Sequence, residues 1–145
     1  MMTDAAEKEN RANISALLRR HGINATHQRI QIAQVLFERC EHLSAEQIIG
    51  HVNVNARHAE TSKATVYNTL KLFVGKKLIR EIIVDPERVV YDPNTTPHHH
   101  FYDVASGRLT DIPAGDIRIG ELPPLPEGMV ADGVDVIIRT RPAAV

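Results

Sequence analysis

Apolar residues recur every three or four positions through roughly the first 78 residues, the spacing of amphipathic helices. The first helix is predicted from Asp4 to Arg20 and should stop near Gly22, a residue that readily ends helices. Thr26 can cap a second helix. The apolar side of that helix consists of Ile30, Ala33, Phe37 and Cys40.

Two further helices follow at a short interval. Ser44 and Gln47 have the three-residue separation of a capping box, which predicts the start of a third helix. Thr61 or Ser62 can cap a fourth helix, which runs through SKATVYNTLKLFVGKK. Because the segment between these helices is short and polar, we expect them to pack as neighbours.

The pattern changes after residue 78 to short runs rich in β-branched residues. Ile79–Val84 and Val89–Asp92 are predicted strands, joined into a hairpin by turn residues at 85–88. Prolines exclude helix and central strand from residues 93–97, which predicts a linker.

A small, mostly β segment is predicted beyond the linker. Its strands are expected at His98–Val104, Leu109–Ile112 and Val134–Thr140, with a four-residue turn at 105–108. The predicted fold class is α+β. Residues 1–92 have the helices and hairpin of a winged-helix DNA-binding domain, and residues 98–145 form a second, small α/β domain.

Composition is that of an ordinary globular protein, with 43% apolar and 24% charged residues. No apolar run approaches the roughly 18 residues of a membrane helix, and the polar start resembles no targeting peptide. We therefore expect no membrane partner and a cytoplasmic location. The single cysteine, Cys40, excludes a disulfide and a structural zinc site built from cysteines.

The net charge of −1 hides an asymmetry between the two halves of the chain. Residues 1–80 carry 12 Lys and Arg against 7 Asp and Glu, whereas residues 81–145 carry 5 against 11. A basic first half suits contact with phosphate, although chance scatter of surface charge would give the same count.

The fourth predicted helix has the composition of a DNA recognition helix. At 100° per residue its inward side is Val66, Leu70 and Phe73, and its outer side is Ala64, Asn68 and Lys71, flanked by Thr65 and Tyr67. No carboxylate occurs from Ser62 to Lys77, and an acidic group there would repel DNA.

Individual side chains on this outer side suit particular DNA groups. Lys63 and Lys71 suit phosphates, and Asn68 can read a base edge. Tyr67 can contact a thymine methyl or a phosphate. The alternative is an ordinary solvated helix face.

The triplet His98-His99-His100 is the densest group of metal-ligand side chains in the sequence. On a strand, His98 and His100 point to one face and His99 to the other. If Val104 lies opposite Leu109, then Asp111 lies opposite Tyr102, on the same face as His98 and His100.

Two imidazoles and a carboxylate on one face suit Fe(II), Mn(II) or Zn(II). Asp92 and His42 could add ligands, although His42 by itself is better explained as a surface residue. The alternative for the triplet is a solvent-exposed strand end.

Four segments together resemble the ferric uptake regulator (Fur) superfamily in order and spacing. They are Thr26–Arg29, His42–Glu46, Ala64–Leu70 and the triplet His98–His100 followed by Gly107 and Asp111. The resemblance implies a dimeric bacterial transcription factor, with a winged helix followed by an α/β dimerisation domain. It also implies a regulatory metal at the hinge between the domains.

Position by position, the resemblance implies two sets of functional residues. The metal ligands of the peroxide-sensing branch fall at His42, Asp92, His98, His100 and Asp111. The DNA contacts fall at Ser62, Thr65, Tyr67 and Asn68, supported by Arg29 and Lys63.

The sequence also departs from most of the superfamily. Asp103 and Ser106 stand where a zinc-binding cysteine pair is usual, and Pro123, Pro124 and Pro126 would shorten the C-terminal helix. A cysteine-poor chain of this kind is similar to the iron response regulator (Irr) subgroup. That similarity implies haem sensing, with His98, His99 and His100 as haem ligands.

The sequence therefore predicts a homodimeric regulator of iron metabolism that binds promoter DNA and responds to haem or iron. The alternative within this class is a repressor that requires Fe(II) or Mn(II). One form of this alternative is a repressor that also senses peroxide. A non-haem iron enzyme and an interaction domain without DNA binding are further alternatives. The first has little chain from which to build a substrate pocket.

Overall fold

The computed structural model describes residues 3–39, 42–54 and 60–144. Two compact units divide the chain between Thr95 and Thr96, and each is described by itself. Cys40, predicted on the apolar side of the second helix, lies outside the described residues, as does most of the segment between the third and fourth helices.

Four helices open the first unit: α1 (Asp4–Arg20), α2 (His27–Arg39), α3 (Ala45–Asn53) and α4 (Lys63–Gly75). The predicted bounds of the first helix are confirmed. It ends because Gly22 adopts a positive φ of 73°, so that the Gly22 and Ile23 amides donate to Arg19 and Leu18.

Side-chain caps fix the starts of the other three helices. The Thr26 hydroxyl accepts from the Arg29 amide at 3.3 Å, and Ser44 forms the predicted capping box with Gln47. Of the two candidates for α4, Ser62 is the cap: its hydroxyl accepts from the Thr65 amide at 3.2 Å.

The inward side of α4 packs into the core as its periodicity predicts. Val66, Leu70 and Phe73 are fully buried. They share one hydrophobic cluster with residues of the other helices, among them Leu18, Ile32, Leu36 and Ile48. This packing fixes which side of α4 stays exposed.

A two-stranded antiparallel hairpin completes the winged helix. Its strands are β1 (Arg80–Asp85) and β2 (Arg88–Asp92). The outer edge of β2 pairs with the chain before α3, since Leu43 and Tyr91 exchange backbone hydrogen bonds of 3.4 and 2.8 Å. This bridge brings His42 alongside Asp92.

The second unit is a three-stranded sheet with the order β4-β3-β5. The strands are β3 (His98–Asp103), β4 (Leu109–Pro113) and β5 (Ile137–Thr140). β4 pairs antiparallel and β5 parallel with β3. A 3₁₀ turn at Ala114–Asp116 follows β4, and residues 117–136 contain no regular helix or strand.

The predicted strand register is wrong by two residues. Leu109 pairs with Tyr102, and Asp111 pairs with His100 rather than with Tyr102. The loop is limited to residues 104–107 because the Asp103 amide donates a hydrogen bond to the Arg108 carbonyl oxygen. Within this loop, Gly107 adopts a positive φ of 76°. A shift of two keeps Asp111 on the predicted face.

The last strand begins later than predicted, at Ile137 instead of Val134. Val136 still accepts a backbone hydrogen bond from His100, but its own amide donates to the side chain of His99. Within the described residues, no helix is both long and apolar enough to cross a membrane.

Candidate metal centre and DNA-facing surface

An imidazole faces a carboxylate in the first unit. His42 Nε2 lies 3.1 Å from Asp92 Oδ2, and both side chains are largely buried. The second oxygen of Asp92 accepts from the Asn94 amide at 2.9 Å, which fixes the orientation of the carboxylate. An imidazole nitrogen and a carboxylate oxygen, both of which can bind a metal ion, therefore lie next to each other beside the β1–β2 hairpin.

The second unit holds a matching group of three side chains on one face of the sheet. Asp111 Oδ1 lies 3.3 Å from His100 Nε2 and 3.7 Å from His98 Nε2. The two histidine rings lie 4.6 Å apart, and the ligand atoms of all three residues lie within 4.8 Å of one another. His100 is only 1% exposed, whereas the Asp111 side chain is 51% exposed.

The hydrogen bond of His98 shows what this group can bind. Nδ1 of His98 lies 2.7 Å from the carbonyl oxygen of Thr96, which can only accept, so Nδ1 carries the proton. In the neutral ring, Nε2 then presents a lone pair toward the Asp111 carboxylate, which is also an acceptor. Two acceptors facing each other favour a cation between them, and a carbonyl partner on the other nitrogen is typical of metal-bound histidine.

His99 lies on the opposite face of β3, as its strand position predicts. Its Nδ1 accepts a hydrogen bond of 3.0 Å from the Val136 amide, and the residue is 7% exposed. The structure therefore separates His99 from His98 and His100, and the side chain of His99 joins β3 to the chain before β5.

Hydrogen bonds occupy the turn where the resemblance places a cysteine pair. The Asp103 carboxylate accepts from the Ser106 hydroxyl at 2.7 Å and from the Ala105 amide at 3.0 Å. These two bonds, the Ser106 bond first, lower the pKa of Asp103 from its ordinary value. A polar turn thus closes the β3–β4 hairpin.

Most of the predicted DNA contacts lie on one exposed surface that runs from the N-cap of α4 along the helix, here called the α4 surface. It consists of Ser62, Lys63, Tyr67, Asn68 and Lys71, all of which are exposed. Thr65 is half-buried, and its side chain accepts from the Ser62 hydroxyl at 2.9 Å. Arg29 lies outside this surface, in α2, where its guanidinium donates to the Asn24 carbonyl.

Sequence reasoning missed an acidic neighbour of the α4 surface. Glu46, in the first turn of α3, accepts a hydrogen bond from the Tyr67 hydroxyl. This bond is the largest cause that lowers the pKa of Glu46 and raises that of Tyr67. The capping box at Ser44 places Glu46 at a helix start, but no local pattern reveals a partner 21 residues away.

Together, the winged-helix fold, the exposed α4 surface and the candidate metal-ligand cluster are typical of a metal-responsive transcription regulator. The family model "Ferric uptake regulator family" matches residues 20–121. The ferric uptake regulation protein of Synechococcus elongatus is 31% identical over 114 residues, which are 75% of this chain and 76% of that protein. The chain belongs to the ferric uptake regulator family, whose members are transcription regulators rather than enzymes.

Other relatives fall in the same family. A peroxide-responsive repressor of Staphylococcus epidermidis is 28% identical over 67% of this chain and 63% of that protein. The ferric uptake regulator of Pseudomonas aeruginosa, solved with manganese, has a TM-score of 0.67 at 21% identity over 90% of this chain and 98% of its own. The Francisella tularensis regulator, solved with iron, has a TM-score of 0.65 at 20% identity over 83% and 92%.

Proposed function

We propose that this protein is a homodimeric regulator that binds promoter DNA as a repressor when Fe(II) or Mn(II) is bound. The observation that carries the proposal is the close approach of imidazole nitrogens to carboxylate oxygens in both units. His42 faces Asp92, and His98 and His100 face Asp111. Residues 1–92 would bind DNA, and residues 98–145 would sense the metal and form the dimer.

One ion would take ligands from both groups. Only residues 93–97 separate Asp92 from His98, so their Cα atoms can be at most about 22 Å apart. Nitrogen and oxygen donors suit Fe(II), Mn(II) or Zn(II). When bound, the ion supplies coordination bonds that join the two units.

The residues of the chain itself would then make the contacts with DNA. The angle between the units sets the separation of the two recognition helices in a dimer, and half-site spacing on DNA is geometrically strict. On the α4 surface, Lys63 and Lys71 would contact phosphates while Asn68 and Tyr67 would contact base edges.

Haem is the second ligand that the resemblance implies, and the burial of the histidines favours a small ion over it. His98, His99 and His100 are between 1% and 7% exposed, and they point to two faces of the strand. A haem would have to displace packed chain to reach any of these rings.

Fluorescence anisotropy of an AT-rich palindromic duplex from a candidate iron-metabolism promoter tests the proposal. The duplex would be titrated with protein in chelator, with Mn(II) and with haem. We expect tight, steeply salt-dependent binding with Mn(II) and weak binding in chelator. Tight binding in chelator that is lost when haem is added would contradict the metal-dependent repressor and support a haem sensor. An affinity that does not change with salt concentration would contradict DNA binding.

A further inference from the structure

A carboxylate lies beside the surface that should meet DNA. Tyr67 is 45% exposed, and its hydroxyl donates to Glu46, which is exposed as well. The two residues belong to different helices, α4 and α3, so this bond ties an exposed recognition side chain to a neighbouring element. Lys63, on the α4 surface, also lowers the pKa of Glu46 through its charge.

A carboxylate at this place has two opposite effects on DNA binding. Its charge repels phosphates on any DNA, and the effect weakens with salt. Its hydrogen bond restricts the Tyr67 ring to one orientation, which reduces the entropy lost when the ring meets a matching base. The repulsion acts on every sequence, whereas the positioning helps only where the ring has a base to contact.

We propose that Glu46 is a positioning and specificity-determining residue of the DNA-reading surface. It holds Tyr67 for operator bases and lowers affinity for DNA that offers no such contact. This inference rests on the proposed DNA-binding function and adds a residue from α3 to the recognition helix.

Two substitutions at Glu46 separate charge from positioning. Glu46→Gln keeps an acceptor for the Tyr67 hydroxyl but removes the charge, so affinity for the operator and for a scrambled duplex should rise alike, by about two- to fivefold. Glu46→Ala removes both the charge and the acceptor, so scrambled affinity should rise in the same way while operator affinity falls by about fivefold. The ratio of operator to scrambled affinity should keep its wild-type value with Glu46→Gln and fall with Glu46→Ala.

The measurement is anisotropy of operator and scrambled duplexes of equal length, with Mn(II), at several salt concentrations. Glu38→Gln is the matched control, because it makes the same charge change at an exposed position at the end of α2. A merely structural role would lower both affinities in parallel and lower the melting temperature, which circular dichroism checks.

A double-mutant cycle tests whether Glu46 acts through Tyr67. In the Tyr67→Phe background, which lacks the hydroxyl, only the charge effect remains, so Glu46→Ala should raise operator and scrambled affinity alike. An unchanged fivefold loss for the operator in that background would overturn the positioning role. Equal gains on both duplexes with Glu46→Ala would overturn the specificity role, whereas failure of the wild type to bind either duplex would contradict the proposed function itself.

Discussion

Buried imidazole rings that face carboxylates are the most informative side chains of this protein. His100 is almost fully buried and lies 3.3 Å from Asp111, while the carbonyl of Thr96 sets the tautomer of His98. Burial of an imidazole ring costs free energy that a bound partner offsets, and a cation between an imidazole nitrogen and a carboxylate oxygen would be a partner for both groups.

Removing one of these donors should weaken metal binding strongly. We expect His100→Ala to lower Mn(II) affinity by at least about 100-fold, because changes in outer-shell partners alone cost about 10- to 100-fold. Isothermal titration calorimetry measures this, with His27→Gln, at an exposed position in α2, as the control.

Asp111→Asn provides a second variant that leaves no cavity, since the Asp111 side chain is half exposed. It should weaken Mn(II) binding while leaving the melting temperature of the metal-free protein unchanged. Wild-type Mn(II) affinity in both variants would contradict the assignment of this group as the metal site.

The β3–β4 hairpin shows how a turn sets the geometry of the ligands. Asp103 accepts from Ala105 and Ser106 in the four-residue loop 104–107, which lies one position earlier than predicted, so that Asp111 lies directly opposite His100. The sheet thus depends on side-chain hydrogen bonds at the position where the resemblance places cysteines.

Asp103→Ala should therefore lower the melting temperature by a few degrees at pH 7. Because hydrogen bonds lower the folded-state pKa of Asp103 below its ordinary value, its stabilisation is present at neutral pH and is lost as the pH falls through that lowered pKa. Thermal unfolding followed by circular dichroism from pH 7 to pH 3 should show the difference from wild type shrinking. Asp132→Ala, at an exposed position in an irregular segment, is the control, and an equal effect there would contradict the account.

Sequence predicted those elements whose signals are local. The caps at Thr26, Ser44 and Ser62 and the buried side of α4 follow from patterns within four residues. The register of the β3–β4 hairpin could not be predicted from such a local pattern, because it depends on the hydrogen bonds of the Asp103 side chain and on the positive φ of Gly107.

The candidate site follows the same division between local and distant signals. Strand alternation predicted the shared face of His98, His100 and Asp111, which the structure confirms. The contact of Glu46 with Tyr67 joins residues 21 positions apart, and no periodicity reports such a pairing.

The distribution of charge along the chain agrees with the proposal that the first part binds DNA and the second part senses the metal. Residues 1–80 carry a surplus of basic side chains, and residues 81–145 a surplus of acidic ones. The basic half includes the α4 surface, and the acidic half contains Asp92 and Asp111, two of the proposed metal ligands. A net charge near zero therefore conceals a basic half and an acidic half.

The central claim is that metal binding and operator binding are coupled. Coupling is reciprocal, so the operator must raise Mn(II) affinity by the same factor by which Mn(II) raises operator affinity, typically about 5- to 150-fold. Electron paramagnetic resonance of free Mn(II) measures this directly in titrations with operator, with a scrambled duplex of equal length and without DNA. We expect tighter Mn(II) binding with the operator only, and equal Mn(II) affinity in all three titrations would contradict the account.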